Sequence, residues 1–297
     1  MPPAVPAPLL AVDAPSLLYR AFFALPDSIK DADGRPANAL LGMANLVLWV
    51  VERHAPRAVV LCFGAEAAHY RTDLFPSYHA DRPPMPEGLA SQWADAPALY
   101  EDFGWTVHAH PTLEADDLLG AFARLESAAG GDALLYTGDR DMFQCVDEHV
   151  TVLFPRGGAA KDGPEPIGPA EVRDRYGIAP EQVPDFIALR GDPSDGLPGA
   201  KGIGEKTARD LLRAHGTLEG VFDAAAKPGT LTPRQTGSLL DGADEIRAFR
   251  AIATLQPIDD LERPPDRPTD FARAAEGARR HGLERLAERL EKMAADA

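Results

Sequence analysis

The sequence contains only two cysteines among its 297 residues. Cys62 and Cys145 each lie among apolar neighbours, which favours buried, reduced thiols over a disulfide or a metal ligand. A chain without a disulfide framework is typical of a reducing compartment. We therefore expect an intracellular, cytoplasmic protein.

Positive charge is also scarce, because 30 Lys and Arg residues face 46 Asp and Glu residues, for a formal net charge of −16. This balance excludes a protein that holds nucleic acid by its overall positive charge. It does not exclude nucleic acid as a partner. Carboxylates that bind divalent metals bring negative charge with them, and a local basic rim is then enough to guide a phosphate backbone.

Long apolar runs are missing as well. No stretch approaches the length of about 20 apolar residues that a membrane-spanning helix needs. The start, MPPAVPAPLL, has no basic residue and its apolar run is interrupted by prolines, which argues against a signal peptide. A hydrophobic fraction of 45% and a charged fraction of 26% are ordinary for globular domains, and the length suits two of them. We expect no membrane partner.

The most informative stretch runs from Gly191 to Leu212 and reads GDPSDGLPGAKGIGEKTARDLL. The two carboxylates near its start, Asp192 and Asp195, are spaced to hold a hard cation. A glycine hairpin before a helix start presents unpaired N–H groups to an anion such as a phosphate. Gly-Ile-Gly alone is equally typical of a plain connection between helices. The carboxylates directly upstream favour a metal and a phosphate strand together.

Apolar strands in the first half end at acidic residues. Leu9 to Val12 precede Asp13, and Ala133 to Tyr136 precede a turn with two acids. A helix after Leu113 has three acids in its first turn. Strands alternating with helices predict a mostly parallel sheet, whose ligands collect beyond the carboxyl ends of the strands. The acids concerned are Asp13, Glu114, Asp116, Asp117, Asp139 and Asp141.

Five of these six acids have a plainer interpretation. Charge at a helix N-terminus explains one or two of the acids in the first turn after Leu113, and turn chemistry explains Asp139 and Asp141. That all six should meet at one rim without a ligand is less economical, because clustered carboxylates repel one another. The pattern therefore predicts bound metal ions.

Residues 65–99 differ in composition from the sheet and its helices. Basic residues alternate there with aromatic residues and are followed by three prolines. We interpret the segment as an insertion rather than a sheet crossover, suited to a nucleic-acid strand by stacking and phosphate contact. A solvated linker is the alternative. Proline and glycine between Pro155 and Gly168 then mark a boundary, which predicts domains at 1–165 and 166–297, the second all helical.

The ordered motifs LLAVDAPSLLYRAFFALP, YRTDLFPSYHADRPPMP, LEADDLLG, YTGDRDMFQCV and GDPSDGLPGAKGIGEKTA resemble those of the bacterial flap endonucleases, the 5′ nuclease module also found at the N-terminus of DNA polymerase I. The resemblance runs from about Leu9 to near Leu290, and no polymerase follows. It implies a free-standing member with a PIN-like α/β core, a helical helix-hairpin-helix domain at about 191–212, and a nuclease acting on 5′ flaps, 5′ overhangs and nicked or gapped junctions in replication and repair.

The resemblance also implies residue roles. Two or more divalent ions, Mg²⁺ or Mn²⁺, would be held by Asp13, Glu114, Asp116, Asp117, Asp139, Asp141, Asp192 and Asp195. Arg71, His79 and Arg82 would belong to an arch over the 5′ strand, with Arg82 also counted among the catalytic residues. Tyr19 and Arg20 would lie near the scissile strand. Gly202, Ile203, Gly204 and Lys206 would grip the duplex backbone, with a monovalent cation such as K⁺ at the hairpin.

Two positions depart from the family pattern. The second strand ends in Phe63-Gly64-Ala65, where the family has Phe-Asp-Ala, so one carboxylate is missing. We expect Gly64 to leave an opening at the metal site. His79 stands where the family has lysine and is only partly charged near neutral pH. These departures motivate one alternative, a DNA-junction binding protein with weakened chemistry. A metal-dependent phosphatase is a second alternative, but the hairpin would have no role on a small substrate.

Overall fold

The computed structural model describes residues 7–156 and 163–296 of the chain. Its centre is a six-stranded sheet in the order β3-β2-β1-β4-β5-β6. The strands are β1 (Leu9–Asp13), β2 (Ala58–Phe63), β3 (Thr106–Ala109), β4 (Ala133–Tyr136), β5 (Val150–Phe154) and β6 (Glu165–Ile167). The first five are parallel, and β6 pairs antiparallel with β5. The predicted α/β class with a mostly parallel sheet is confirmed.

The central strands are continuous apolar runs because helices cover both faces of the sheet. Every residue of β1, β2 and β4 is buried. Alternate side chains of β1 enter two different hydrophobic clusters: Leu9 and Ala11 join one, Leu10 and Val12 the other. The carboxyl ends of these strands therefore share one edge, where Asp13 pairs in register with Cys62.

Five helices accompany the first three crossovers: α1 (Ala14–Ala24), α2 (Asn38–His54), α3 (His69–Leu74), α4 (Glu87–Glu101) and α5 (Ala115–Ala128). The segment at 65–99 contains α3 and most of α4. Since β2 and β3 are adjacent and parallel, the chain between them is a sheet crossover. The interpretation as an insertion separate from the crossovers is therefore wrong, because α4 carries the chain back to the start of β3. Arg71 of α3 contacts Glu114 and Asp116, which follow the end of β3.

The remainder is helical, apart from β5 and β6. The helices are α6 (Pro169–Tyr176), α7 (Val183–Arg190), α8 (Glu205–His215), α9 (Leu218–Ala225), α10 (Pro233–Asp241), α11 (Ala243–Ala253), α12 (Phe271–Arg280) and α13 (Glu284–Asp296). α10 and α11 meet at Gly242, and α12 and α13 are separated at Gly282, which has φ +70°. No helix in the described ranges is long and apolar enough to span a membrane.

The last two helices return to the α/β layer. Apolar residues of α12 and α13 join the cluster that contains Leu10 and Val12. The connection is anchored by Trp105, whose Nε1 donates to Thr269 Oγ1 at 2.9 Å. Arg289 forms an ion pair with Glu52 at 3.0 Å. The division at residue 165 stays a prediction, and residues 157–162 of the predicted boundary lie outside the described ranges.

Candidate active site

The first of three groups of acids at the candidate site is joined by hydrogen bonds between β1 and the turn after β4. Asp13 accepts a hydrogen bond at Oδ2 from Thr137 Oγ1, at 2.7 Å, and Thr137 Oγ1 in turn accepts from the amide of Asp139 at 3.0 Å. Asp139 Oδ1 accepts from the amide of Asp141 at 2.9 Å. Asp13 also caps α1 by accepting from Ser16 N at 3.0 Å. These bonds fix three carboxylates at neighbouring strand ends.

Thr137 is a site residue that the sequence interpretation does not include. It is fully buried and connects the carboxylates of the two strands. The sequence does indicate a role for Thr137, because it is a polar residue at the end of a buried strand, where an apolar residue is expected.

The first turn of α5 supplies the second group of acids. Glu114 precedes the helix and accepts from the amide of Ala68 at 2.8 Å. Asp117 is fully buried, and its oxygens accept from Glu114 N at 3.3 Å, Gln256 N at 2.8 Å and Tyr70 OH at 3.3 Å. These contacts agree with the alternative interpretation of Asp117 as a helix-end carboxylate. Asp116 is the more accessible member of the turn.

The helical part of the chain contributes the third group, from the loop after α7. Asp192 and Leu197 exchange two backbone hydrogen bonds of 2.8 Å each, which closes the loop. Asp192 Oδ1 caps the amide of Ser194 at 2.9 Å, and Oδ2 accepts from Arg190 at 3.2 Å. Asp195 contacts His79 through Oδ1, and its charge acts on Asp139 and Asp141.

Arg71 and His79 differ from their predicted setting in an arch open to DNA. The guanidinium of Arg71 is buried and lies 2.9 Å from Glu114 and 3.2 Å from Asp116. The His79 ring stacks on Tyr78 and contacts Asp195 Oδ1 at 3.0 Å and the Glu66 carbonyl at 3.2 Å. Both side chains are 4% exposed. The physical reason is the nearby carboxylate charge, which attracts these cationic or polar groups inward.

The other predicted strand contacts lie on the rim. Arg82 is exposed, and its charge opposes burial and the charge of Glu66, which together raise the pKa of the Tyr19 hydroxyl. Arg20 is tied to the end of β5, where it donates to the Arg156 carbonyl. The structure therefore brings Tyr19 and Arg82 close enough for the charge of one to act on the other, and ties Arg20 to the chain after β5.

Gly64 does not leave the opening predicted for it. The amide of Ala65 donates to the carbonyl of Leu113 at 2.9 Å, which draws the segment with Glu114 against the end of β2. A Cβ at Gly64 would lie 2.5 to 2.6 Å from backbone atoms of residues 113–115. The space next to Asp13 is therefore closed by backbone, and the expected opening is wrong.

The hairpin at 202–204 lies before α8, as expected. Gly202 has φ +77°, a conformation that favours glycine, and Ile203 is buried beneath the turn. Gly204 precedes α8, and a Cβ there would meet no atom within 4 Å. The Lys206 side chain is 82% exposed and pairs with Asp210 at 2.9 Å. The hairpin thus presents backbone and one lysine outward.

Mutual repulsion and burial raise the pKa values of the acids. Burial raises the pKa of Asp13 to about 7, with the charge of Asp116 as the next cause. Burial also raises the pKa of Asp139, followed by the charges of Asp116, Asp195 and Asp13. Burial and then the charge of Asp139 raise the pKa of Asp141. Each group acts on the next, so the three sets of acids form one electrostatic unit.

The donor chemistry of this unit fits divalent cations bound partly through water. Within the described ranges, Asp13, Asp139 and Asp141 have no ion pair with a basic side chain. No three His, Cys, Asp or Glu side chains in the same ranges are close enough to enclose a cation directly. Mg²⁺ commonly keeps several waters and takes only one or two carboxylates from a protein. The acids thus fit such ions better than a fully enclosed metal.

Sequence profiles of a known family cover most of the chain. The 5′-3′ exonuclease N-terminal resolvase-like domain matches residues 8–177, and the 5′-3′ exonuclease C-terminal SAM fold matches residues 178–269. The chain belongs to the 5′-3′ exonuclease family. The predicted family and the prediction of a 5′ nuclease are confirmed at this level.

Relatives of two lengths occur within the 5′-3′ exonuclease family. A 5′-3′ exonuclease of Mycobacterium tuberculosis is 36% identical over 96% of this chain and 97% of the relative. One of Streptomyces coelicolor is 34% identical over 95% and 98%. DNA polymerase I of Mycobacterium tuberculosis is 38% identical over 72% of this chain, which spans only 24% of that relative.

Solved structures share the fold. The phage T5 flap endonuclease in a complex with DNA and metal ions has a TM-score of 0.67 at 17% identity, covering 97% of this chain and 99% of that one. The catalytic core of Rad2 in complex with a DNA substrate has a TM-score of 0.65 at 15% identity, covering 98% and 92%. At such identities the likeness concerns the architecture.

Proposed function

We propose that the chain is a structure-selective 5′ nuclease, with flap endonuclease and 5′-3′ exonuclease activity, that hydrolyses DNA phosphodiesters using two or more divalent cations, Mg²⁺ or Mn²⁺. One observation carries the proposal: buried acids from two strand ends, one helix start and one loop of the helical part act on one another's pKa values. A cluster of this kind is costly unless cations compensate it.

The residues divide the work in the proposed reaction. Asp13 and Asp141, which are buried, and the half-buried Asp139 form one side of the cluster, and Glu114, Asp116, Asp192 and Asp195 approach from α5 and from the helical part. Bound divalent cations would activate water and stabilise charge on the scissile phosphate. The closed Asp192 to Leu197 loop fixes the backbone that carries Asp195, whose charge acts on Asp139 and Asp141, so catalysis requires both parts of the chain in one arrangement.

The proposed substrates are DNA molecules with a 5′ flap, a 5′ overhang or a nicked or gapped junction. Two solved structures with the same fold support this choice of partner, since one contains DNA and metal ions and the other a DNA substrate. Tyr19 and Arg82 on the rim would contact the scissile strand, and the 202–204 hairpin with Lys206 would hold the duplex backbone, with K⁺ at the hairpin carbonyls. Such contacts recognise shape rather than sequence. We place the protein in the cytoplasm, with the DNA.

A labelled 5′-flap oligonucleotide tests the function. Purified protein is incubated with the flap, a matched blunt duplex and a single strand, in Mn²⁺, in Mg²⁺ and in EDTA. Cleavage of the flap near the junction, absent in EDTA and weaker on the duplex, is expected. Binding of the flap without any cleavage in either metal would instead support a junction-binding protein with lost chemistry, as Gly64 and His79 suggest. Metal-dependent release of phosphate from a small ester, with no action on DNA, would support the phosphatase.

A further inference from the structure

Arg71 is the basic side chain that enters the acidic cluster most deeply. It lies on α3, its side chain is 4% exposed, and its NH1 nitrogen is 2.9 Å from Glu114 Oε2 and 3.2 Å from Asp116 Oδ2. Its NH2 nitrogen is 3.9 Å from Asp117 Oδ1. One guanidinium therefore contacts all three acids at the start of α5.

Two tyrosines hold Arg71 in this position from the other side. Arg71 Nε donates to Tyr70 OH at 2.7 Å, and NH1 donates to Tyr78 OH at 3.0 Å. The guanidinium carbon lies 5.4 Å and 5.7 Å from the centroids of the two rings. A guanidinium fixed by acids and by tyrosine hydroxyls is directed into the protein rather than toward a DNA strand on its surface.

We propose that Arg71 is an internal counter-ion of the carboxylate cluster, whose charge weakens the attraction of Glu114 and Asp116 for divalent cations. The inference rests on the metal-binding part of the proposed function. It gives Arg71 an electrostatic role that acts through these two acids, not a contact with DNA.

The charge distribution gives the reason. Arg71 neutralises one of the many negative charges at the site, and it does so through Asp116, whose charge also acts on Asp13, Asp139 and Asp141. A cation that takes Asp116 as a ligand must share that carboxylate with the guanidinium. Removing the positive charge leaves the cluster more negative, so the protein becomes less stable by itself and binds cations more tightly.

The opposite outcome follows if Arg71 only supports the fold. Loss of a merely structural side chain would disorder Glu114 and Asp116 and weaken cation binding. A role in contacting the DNA strand would lower DNA affinity and leave cation binding unchanged. The sign of the change in cation affinity therefore separates the three roles.

The experiment compares the full chain with its R71Q, R71K and R57Q variants. Arg57 is a matched control, because its side chain is 7% exposed and pairs with buried Glu126 away from the acidic edge. The Mn²⁺ dissociation constant is measured by calorimetry without DNA, and the melting temperature is measured in EDTA and in Mn²⁺. Flap cleavage by the parent is assayed separately.

For R71Q we expect a lower melting temperature in EDTA, a larger rise on adding Mn²⁺, and a dissociation constant roughly three- to tenfold lower than that of the parent, as expected for one charge removed a few ångströms from a cation. R71K should stay near the parent. R57Q should lose stability with no change in its response to Mn²⁺.

Weaker or unchanged Mn²⁺ binding by R71Q would overturn the inference, as would an equal gain in R71K. If R71Q is unfolded in EDTA, the addition of Mn²⁺ should restore the fold, and failure to do so also counts against it. A parent that binds no Mn²⁺ and cleaves no flap would contradict the proposed function itself, whereas a parent that does both while R71Q binds as the parent does would contradict only the role of Arg71.

Discussion

Gly64 ends β2 at a place where another stretch of backbone passes directly over it. The close approach of residues 113–115 leaves no room for a side chain, although an acid at this position would suit the metal site chemically. The absence of a carboxylate here is therefore coupled to the path of the segment that carries Glu114. Restoring the acid of the family pattern would displace that segment.

We expect Gly64→Ala to destabilise the protein by about 1–3 kcal/mol, the usual range for overpacking, and Gly64→Asp to do so by more. Chemical denaturation measures the change. Gly88→Ala is the control, because it replaces a glycine inside a helix and its Cβ makes only ordinary contacts, with Phe22 at 3.6 Å and Pro36 at 3.9 Å. Equal stability of Gly64→Asp and the parent would show that the 113–115 segment moves at little cost.

Asp139 and Asp141 lie on one turn and share a hydrogen bond, so each change affects both. We expect Asp139→Asn or Asp141→Asn to lower flap cleavage at least roughly a hundredfold, since bound cations contribute several kcal/mol to such reactions. DNA affinity in EDTA should be preserved or increased, because negative charge is removed. Parallel loss of cleavage and binding would show that the turn is needed for the fold instead.

At the scale of elements, the hairpin before α8 is exposed and separate from the acids. Its Gly202 shares a positive φ with Gly229, which lies in the open loop between α9 and α10. Substitution of each glycine in turn distinguishes an effect of backbone strain from the loss of a DNA contact, because both glycines belong to the helical part of the chain. A Cβ at Gly229 would meet no atom within 4 Å.

We expect Gly202→Val to raise the dissociation constant for flap DNA about tenfold, because the side chain adds bulk where backbone must approach phosphates. Gly229→Val should carry the same strain of a positive φ, without the 3.0 Å contact that a Cβ at Gly202 makes with Arg234 NH2, and should leave the dissociation constant unchanged. Fluorescence anisotropy in EDTA gives both values. An equal loss of affinity in the two variants would assign the effect to strain and reject the hairpin as a DNA contact.

Some of the strands and side-chain positions could be predicted from the sequence, and others could not. β2 and β4 have the predicted ends because each is a continuous apolar run closed by turn-forming residues. β6 is not predicted, since its three residues include Pro166 and its strand character comes from pairing Ile167 with Val152. The acids at strand ends are predictable from topology. The inward turn of Arg71 and the closure at Gly64 depend on tertiary contacts that periodicity does not encode.

At the scale of the whole molecule, three carboxyl groups with raised pKa values lie together at the edge formed by the carboxyl ends of β1 and β4. The pKa of Asp13 is raised from 3.8 to about 7 by burial and then by Asp116, and those of Asp139 and Asp141 are raised well above their usual value. A raised carboxyl pKa stabilises the folded state while the group is protonated, and this stabilisation is lost as pH rises through the folded pKa. For Asp13 the window lies between about pH 4 and pH 7.

We therefore expect the melting temperature in EDTA to fall by several degrees between pH 5.5 and pH 8, and the stabilisation by Mn²⁺ to grow over the same range. Asp13→Asn should flatten the dependence in EDTA, since the amide does not titrate. Scanning calorimetry at four pH values decides the matter. A melting temperature that rises with pH in EDTA, or an unchanged slope in Asp13→Asn, would contradict the electrostatic account.

The return of α12 and α13 to the sheet has a consequence for synthesis of the chain. Leu10 and Val12 are synthesised long before residues 274–290, which complete the cluster that buries them. A ribosome adding roughly 5–20 residues per second leaves this apolar face uncovered for many seconds. Contacts of such long sequence separation also slow folding. The nascent chain thus exposes an apolar surface until α12 and α13 have been synthesised. A chaperone that covers apolar surface would matter most during this interval.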